Sequence, residues 1–400
     1  MTSGAVWVTS SYPWPGEPVG GIFFRTQARA MARLGVPVTV VSPIPWAPWP
    51  LPLLRPHWRQ YARSPRSQDD GAVHIARPRY PNVPGQPSLA RPDRAIAAAV
   101  WGARREWSGA ALVHGHYAVQ GLAAWRIARR THLPLVLTFH GDDMNAWPDQ
   151  HPDRMADLRA ATGRAAAVIG VSEAMVDRIR DVTGAEAIHL PIGIAHDAIE
   201  AHRLPRADAR RRLRLPDDRI IALYVGSLQP LKGVREFADA ILALGPPFLG
   251  VLVGDGPDAG YRSTAGGGVL DYRGQIPNEE VAAYLSAADV LVLPSHREGL
   301  PTILVEAGSV GVPVVASGVG GIPSLLADGR GRVLDSITAE AVVVALRELA
   351  DDPAGAAARA ARLGPYVREH YDADRNAARL LAIYRSVAPG SWPEAAGTDR

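Results

Sequence analysis

The chain has 400 residues, 47% of them hydrophobic, a content that supports two domains of ordinary size with their own cores. Its formal charge of +3 is small for this length and argues against a nucleic-acid partner. It contains no cysteine, so it has no disulfide framework and no thiolate metal site, and a cytoplasmic enzyme is expected.

The sequence has no run of eighteen apolar residues that could span a membrane, and its first residues lack the charged and apolar regions of a signal peptide. We therefore expect the protein to work in the cytoplasm. The basic residues are divided very unevenly, because Lys232 is the only lysine among 43 Lys and Arg residues. The position of this lysine is therefore informative.

The N-terminal residues read as a strand, a loop and a helix. Residues 5–9 are predicted to form a first strand, and the loop after them ends in Gly20-Gly21 before a helix over 22–34. Paired glycines let a backbone approach a ligand closely or merely turn a corner, and the sequence leaves both open. In three places a predicted helix is followed by a proline and a strand, and the strands are residues 37–42, 135–138 and 313–316. This repetition predicts a repeated β/α architecture.

Residues 43–68 interrupt this pattern with too many prolines for one helix. Trp46, Trp49 and Trp58 lie there among several arginines, a combination that suits a loop in contact with an acceptor or a membrane surface. The alternative is a proline-braced loop that packs on its own domain. We expect Trp46 and Trp49 on the acceptor side, with peripheral contact at the inner membrane face as a hypothesis.

Histidines end two predicted strands of the first half. His114 and His116 lie at the end of the strand that begins at Leu112, and His140 follows residues 135–138. A single histidine is more often structural than catalytic. Ligands bind at the carboxyl edge of a parallel sheet, however, so two histidines at strand ends favour a functional site.

The first domain is predicted to end with a helix over 173–182, which Ser172 caps, and a strand over 188–191. A polar stretch follows, and we place the interdomain linker near 195–204. The arginines of 206–214 are expected to form a solvated helix face rather than a binding patch.

The sole lysine lies in a strand, turn and helix arrangement. Strand 220–225 leads through a glycine turn to Lys232-Gly233 and a helix, which can bring a point charge and helix amides to a phosphate. The P-loop pattern G-x-x-x-x-G-K-[ST] is absent. A later turn resembles part of a dinucleotide fingerprint, but Pro257 interrupts it, so a dehydrogenase is not favoured.

Two glutamates eight residues apart mark the other candidate site. A buried strand over 290–293 leads to a polar loop with Glu298, and Pro301 suits the first position of a helix that contains Glu306 one turn in. Free N–H groups near 300–303 favour an anion. Together these groups suit a ligand that is part phosphate and part polyhydroxyl. The alternative is that both acids merely favour the helix dipole.

Jointly, these motifs resemble those of retaining GT-B glycosyltransferases of family 4 over nearly the whole length. The branch that the chain resembles most includes enzymes of teichuronic acid and exopolysaccharide assembly. The motifs are GG-x-F near the start, His140-Gly141, V-G-x-L…K-G at the lysine, G-D-G-P, E-G-x-P…E over 298–306, and G-x-P-V-V-A-S after it.

The resemblance implies an α/β GT-B fold with two Rossmann-like β/α/β domains that face a central cleft. The predicted domains are an acceptor-side domain over 1–198 and a nucleotide-sugar-binding domain over 199–373. The last helix, with residues 374–388, would cross back to the first domain. A disordered tail is expected over 389–400.

By motif match, the resemblance implies that Glu306 holds the ribose hydroxyls of a sugar nucleotide. Glu298 would bind the hydroxyls of the donor sugar, and Lys232 would neutralise the diphosphate. His140 would lie under the sugar and complete the catalytic set with Glu298 and Lys232, while His116 and Asp142 lie on the acceptor side. The other expected donor-binding residues are Gly20, Gly21, Ser227, Ile276, Gly299, Leu300, Pro301 and Thr302.

The chain departs from the family pattern at Ser227, where many relatives carry an arginine that pairs with the lysine on the phosphates. Either Lys232 acts here with helix amides alone, or Arg25 or Arg297 supplies the second charge.

The implied function is retaining transfer of a sugar from a UDP- or GDP-sugar to a hydroxyl of a glycan or lipid-linked acceptor in cell-surface polysaccharide biosynthesis. No metal site is expected, because no convincing D-x-D ends a strand, and no cofactor besides the donor is expected. One alternative is a nucleotide-sugar epimerase, which reacts without an acceptor. Another is an inactive subunit that binds a nucleotide sugar or glycan.

Overall fold

The computed structural model describes residues 4–46, 56–82, 91–263 and 268–393. They form two compact units. Unit 1 contains the described residues up to Gly193 together with those from Ala373 onward, and unit 2 contains Ile194–Asp372. Each unit has its own buried apolar residues.

Unit 1 is built on a mostly parallel sheet. Its described strands are β1 (Gly4–Val8), β2 (Val38–Val41), β3 (Ile44–Trp46), β4 (Ser67–Asp70), β5 (Val73–Ala76), β6 (Arg79–Pro81), β7 (Ala110–His116), β8 (Leu135–Phe139), β9 (Ala167–Gly170) and β10 (Ile188–His189). The order across the main sheet is β10-β9-β8-β7-β1-β2-β5-β4, and only β4 runs antiparallel to its neighbour. The order therefore reverses at β1, whose neighbours are β7 and β2.

Helices connect these strands as the repeated β/α pattern predicts. They are α1 (Ile22–Arg33), α2 (Pro56–Arg63), α3 (Pro92–Gly102), α4 (Ala118–Thr131), α5 (Asp142–Asn145), α6 (Trp147–Gln150), α7 (Met155–Thr162) and α8 (Glu173–Thr183). The predicted cap of α8 is confirmed, because the Ser172 hydroxyl accepts the Met175 N–H at 3.2 Å.

The segment predicted as a proline-rich loop contains regular structure. β3 pairs in parallel with β6, α2 follows, and β4 adds an antiparallel edge strand to the main sheet. Trp46 is 51% exposed, whereas Trp58 is only 5% exposed and packs inside unit 1. Burial of Trp58 removes it from the proposed membrane contact. Trp49 lies outside the described residues.

Unit 2 is a doubly wound parallel sheet. Its strands are β11 (Ile220–Val225), β12 (Phe248–Val253), β13 (Leu270–Gly274), β14 (Val290–Leu293), β15 (Val314–Ser317) and β16 (Arg332–Leu334). Its helices are α9 (His196–His202), α10 (Arg206–Leu213), α11 (Val234–Leu244), α12 (Val281–Ala287), α13 (Thr302–Val310), α14 (Ile322–Leu326), α15 (Ala339–Asp351) and α16 (Pro353–His370). The described strand order is β13-β12-β11-β14-β15-β16, so it reverses between β11 and β14.

The start of unit 2 departs from expectation at two points, whereas Arg206, Arg211, Arg212 and Arg214 are exposed as expected. The stretch assigned to a linker contains helix α9. Arg210, expected on a solvated helix face, is 2% exposed. Its guanidinium donates to Asp289 at 2.6 Å and to the Ala287 carbonyl at 3.0 Å. Helix α10 is thus fastened to the loop before β14 by a buried charge.

The C-terminal helix α17 (Ala373–Val387) belongs to unit 1. Its apolar face, with Leu380 and Tyr384, joins the same buried cluster as Phe24 of α1. The tail after it was expected to be disordered, but the Trp392 indole donates to the Tyr384 carbonyl at 2.9 Å. Trp392 therefore covers the end of α17, while residues 394–400 lie outside the described part.

Among the described residues, no helix is both long enough and apolar enough to cross a membrane.

Replacing Arg210 tests its structural role. Arg210→Ala strips a hydrogen-bonded partner from Asp289 and from buried carbonyls, and should lower the free energy of unfolding of unit 2 by about 3 kcal/mol. Arg211→Ala, on the same helix but with a side chain 70% exposed, should change it by less than about 0.5 kcal/mol. Urea unfolding of both variants measures this. Equal effects would mean that Arg210 is not a structural anchor.

Candidate active site

Lys232 and Glu298 meet at the point where the strand order of unit 2 reverses. Lys232 follows β11 and Glu298 follows β14, the two neighbouring strands on either side of that point. Lys232 Nζ lies 2.8 Å from Glu298 Oε2 and donates to the Arg297 carbonyl at 3.2 Å. The two side chains are 27% and 11% exposed. Ligands of open α/β sheets bind at this type of position, so these two candidate site residues lie where a ligand is expected.

The loop that carries Lys232 is fixed by local contacts. The lysine ends a short 3-10 turn, Pro230–Lys232, and its carbonyl lies 3.1 Å from the Tyr224 hydroxyl. Gly233 follows with φ +70°, and a Cβ there would lie 1.9 Å from the Pro294 carbonyl oxygen. Only glycine permits this conformation and this approach. The two loops are therefore in direct backbone contact, which sets the position of the lysine.

A third loop supports Glu298 from the end of β15. Gly320 has φ +58°, and a Cβ there would lie 2.3 Å from the Glu298 carbonyl oxygen. The Gly321 N–H donates to the Gly299 carbonyl at 2.7 Å. The backbone of the glutamate loop is thus held on both sides.

Helix α13 begins beside this loop with an open N-terminus. Pro301 is the N-cap residue, whereas the sequence predicted it at the first position inside the helix. Among the described residues, no side chain caps this helix. Its first N–H groups and the positive end of its dipole are therefore available to an anion.

Glu306 lies one turn inside α13, as predicted, and hydrogen-bonds Thr302 through its side chain. Burial raises the pKa of the Glu306 carboxyl to about 7, and the Thr302 hydrogen bond only partly opposes this shift. A carboxyl group that is half protonated near neutral pH can accept hydrogen bonds from a diol.

The other predicted donor-binding residues differ in how far their side chains are exposed. Ser227 is exposed on the lysine loop, and Gly299 is buried beside Glu298. Leu300 is 9% exposed and its side chain joins the core, as Ile276 does in part, so these two can offer a ligand mainly their backbone. Arg297 lies in the glutamate loop of unit 2, whereas Arg25 lies in unit 1.

The two predicted histidines of unit 1 lie together. His116 ends β7 and His140 follows β8, and His116 Nδ1 lies 3.2 Å from His140 Nε2. His114 stacks on His116 with ring centroids 4.1 Å apart. His114 also bonds the Tyr384 hydroxyl at 2.6 Å and Thr138 Oγ1 at 2.7 Å. The structure thus brings His116 and His140 together at one edge of the sheet.

All three imidazoles are neutral at neutral pH. Burial lowers the pKa of His114 and of His140 to about 3, and it lowers the pKa of His116 well below the usual range. None of them is therefore a cation that could attract a phosphate. They can act only as hydrogen-bond donors and acceptors.

Asp143 is a site residue that the sequence did not single out. Its carboxyl accepts the N–H of His140 at 3.1 Å and that of Gly141 at 2.6 Å, which fixes the turn after β8. Burial raises the pKa of Asp143 to about 7, against the effect of these hydrogen bonds. The sequence shows two adjacent aspartates at this position, but the site prediction named Asp142, which is exposed at the start of α5.

Gly20 and Gly21 lie at the N-terminus of α1. Gly21 is its N-cap residue with φ +75°, so the glycine is needed for the turn. The Phe23 and Phe24 rings that follow lie 5.4 and 5.5 Å from the His140 ring. The glycine pair therefore adjoins the histidines.

Comparison with known proteins decides the family. Residues 205–370 match the family described as Glycosyl transferases group 1, and residues 20–197 match Glycosyltransferase Family 4. Over 388 residues, 96% of this chain and 99% of the relative, the sequence is 34% identical to TuaC of Bacillus subtilis (strain 168), named for a glycosyltransferase of teichuronic acid biosynthesis. The chain belongs to glycosyltransferase family 4. The predicted family is thereby confirmed for both halves of this glycosyltransferase.

Solved structures confirm the GT-B fold of the glycosyltransferase. Sucrose-phosphate synthase from Thermosynechococcus elongatus is similar with a TM-score of 0.80 at 22% identity, over 96% of this chain and 98% of that chain. HepE of Anabaena, solved in complex with UDP-glucose, is similar with a TM-score of 0.69 at 18% identity, over 95% and 99% of the two chains.

The two glutamates of the glycosyltransferase should respond oppositely to neutralisation. Folded Glu306 keeps a proton up to about pH 7 that the unfolded chain releases near pH 4.5, so its stabilising effect is present below pH 4.5 and is lost as pH rises through 7. Glu306→Gln should therefore raise the free energy of unfolding at pH 8 by about 1–3 kcal/mol, with no gain at pH 4.5.

Glu298→Gln is the matched control, because it removes the ion pair with Lys232 and should lower the free energy of unfolding at pH 8. Urea unfolding at both pH values measures the two effects. A Glu306→Gln variant without any gain at pH 8 would contradict the raised pKa.

Proposed function

We propose that this glycosyltransferase moves a sugar, with retention, from a UDP- or GDP-sugar to a hydroxyl of a glycan or lipid-linked acceptor in cell-surface polysaccharide biosynthesis. The observation that carries the proposal is the pairing of Lys232 and Glu298 at the reversal point of the unit 2 sheet. The kinship with TuaC supports the pathway class, and the UDP-glucose complex of HepE supports the donor class.

The donor site is derived from charges and amides of unit 2. A diphosphate would replace Glu298 as the partner of Lys232 and would take the open N–H groups of α13. Glu298, released from the lysine, could then accept hydrogen bonds from sugar hydroxyls. Glu306 would accept the hydroxyls of a ribose. The ion pair of the free protein would thus hold Lys232 in position for the diphosphate of the donor and Glu298 in position for its sugar.

The chemistry requires stabilisation of the charge on the departing diphosphate and removal of a proton from the acceptor hydroxyl. Lys232 and the α13 amides would supply the first, and we propose that no metal is needed for it. In front-face attack, a phosphate oxygen of the donor would take the acceptor proton, so that no protein nucleophile is required.

Unit 1 would serve the acceptor and the sugar with uncharged groups. His140 would offer a hydrogen bond, with His116 beside it. Asp142 at the start of α5 and Trp46 at the end of β3 are exposed and could contact a glycan. We propose a cytoplasmic enzyme that meets a lipid-linked acceptor at the inner membrane face.

A thermal-shift screen with UDP-, GDP-, ADP- and dTDP-sugars tests the donor site. A donor at about 100 times its Kd should add about 2.7 kcal/mol of stability to the wild type. Glu306→Ala should lose this shift, whereas Glu340→Ala, an exposed acid at the start of α15, should keep it. A shift that Glu306→Ala retains would contradict the assignment of Glu306.

Incubation with the donor found in this screen distinguishes a transferase from an epimerase and from an inactive subunit. Conversion of donor without an acceptor would indicate an epimerase. Binding that is never followed by transfer to any of a broad set of acceptors would indicate an inactive subunit.

Transfer assays test the mechanism. Lys232→Ala should lower kcat by about 100-fold or more, because the leaving diphosphate loses its charged partner. EDTA should leave the wild-type rate unchanged, and NMR of the product should show the anomeric configuration of the donor. Loss of activity in EDTA that added metal restores would contradict the metal-free mechanism, and an inverted product would contradict front-face attack.

A further inference from the structure

The His116–His140 pair has two ring nitrogens without partners. Among the described residues, His116 Nε2 and His140 Nδ1 are buried and have no hydrogen-bond partner. His116 is 0% exposed and His140 is 9% exposed. Buried polar atoms without partners are rare in native proteins and call for an explanation.

The protons of the pair can be counted. Two neutral imidazoles carry two N–H groups on four nitrogens, and one N–H forms the bond between His116 Nδ1 and His140 Nε2. The outer nitrogens, His116 Nε2 and His140 Nδ1, are the two that take no part in that bond. The ring that accepts the bond carries the second N–H on its outer nitrogen. If His140 donates, its Nδ1 is a bare acceptor and His116 carries N–H at Nε2. If His116 donates, His140 carries N–H at Nδ1.

The surroundings favour donation by His116. An N–H at His116 Nε2 would be orphaned in a fully buried position, which proteins avoid more strictly than an unpaired acceptor. The Phe24 ring lies edge-to-face with the His116 ring at 4.9 Å, and Trp7 lies 5.1 Å away, so His116 is enclosed by aromatic rings. His140 Nδ1 is buried as well, but His140 is 9% exposed as a residue whereas His116 is fully enclosed, so a ligand can approach the His140 ring and not the His116 ring.

We infer that His116 is a positioning residue that holds His140 in the Nδ1–H tautomer, so that His140 donates a hydrogen bond to an oxygen of the bound sugar or acceptor. The inference rests on the proposed function for the identity of the ligand. It gives His116 a role through His140 rather than a contact with substrate.

The assigned tautomer restricts what His140 can do. With N–H at Nδ1 and a hydrogen bond at Nε2, the ring has no free lone pair to remove the acceptor proton. His140 is then a donor that stabilises oxygen, and the proton must go elsewhere, as in transfer to a donor phosphate oxygen.

The experiment reads the tautomer directly. Ring ¹⁵N NMR of histidine-labelled, ligand-free protein distinguishes protonated from bare nitrogens, and the His140 signals are assigned by their loss in His140→Phe. The wild type should show a protonated Nδ1 and a bare Nε2. His116→Leu removes the donor to Nε2 and should shift the proton toward Nε2. A wild-type Nε2–H tautomer, or no change in His116→Leu, overturns the inference.

Two further variants separate positioning from packing. His116→Asn should restore the wild-type tautomer, because an asparagine amide nitrogen is as many bonds from Cα as histidine Nδ1. Tyr384→Phe removes a buried hydrogen bond from the neighbouring His114 and should leave the tautomer of His140 unchanged. A change in Tyr384→Phe as large as that in His116→Leu would mean a general packing effect and would overturn the inference.

Kinetics with an identified donor complete the test. His116→Leu should lower kcat by about 10-fold or more, and His116→Asn should recover most of it. Because the NMR measurement needs no substrate, absence of turnover in the wild type counts against the proposed function, whereas a wrong tautomer counts against the role of His116. An unchanged kcat in His116→Leu overturns the positioning role even if transfer occurs.

Discussion

Lys232 and Glu298 form an ion pair across the point where the strand order of unit 2 reverses, and both side chains are largely shielded from water. Charges in such a position need partners, since an unpaired half-buried ammonium would lose much of its hydration. The backbone contacts of Gly233 with Pro294 and of Gly320 with Glu298 keep the three loops at the spacing that the pair requires. The sheet, the loop glycines and the pair therefore depend on one another. In the proposed donor complex, a diphosphate would have to offer Lys232 an equal or better partner than Glu298, which would favour a doubly charged ligand over a neutral one.

The two units supply different chemistry. Unit 2 carries a lysine, two acids and an open helix N-terminus, whereas the corresponding sheet edge of unit 1 carries histidines that burial keeps neutral. The charged groups of the candidate site therefore lie in unit 2, and its uncharged imidazoles lie in unit 1. The C-terminal helix contributes to the latter, because its Tyr384 hydroxyl anchors His114 under the His116 ring. Asp143 holds the backbone of His140 from the other direction.

The sequence predicted the strands of unit 2 and pointed to Lys232 and Glu298 after them, because buried parallel strands are short apolar runs with clear ends and because a single lysine is conspicuous. It did not predict that the two side chains form an ion pair. It failed where a residue's partner is distant in sequence. Arg210 looks like other exposed arginines until Asp289 is brought beside it, and Trp58 looks interfacial until its own unit covers it. The order along Asp142-Asp143 does not reveal which carboxyl turns back to the His140 amide. Neither does the tail composition reveal that Trp392 caps α17.

The single lysine permits a direct test of the donor site. In protein labelled with ¹³C,¹⁵N-lysine and carrying no lysine in any tag, the side-chain spectrum contains one residue, Lys232. Titration with UDP and with GDP, each beside its monophosphate, reports whether that ammonium meets a diphosphate. We expect a saturable change in the Lys232 signal with one diphosphate, absent or much weaker with the monophosphate. Binding of the same diphosphate in calorimetry without any change at Lys232 would contradict it.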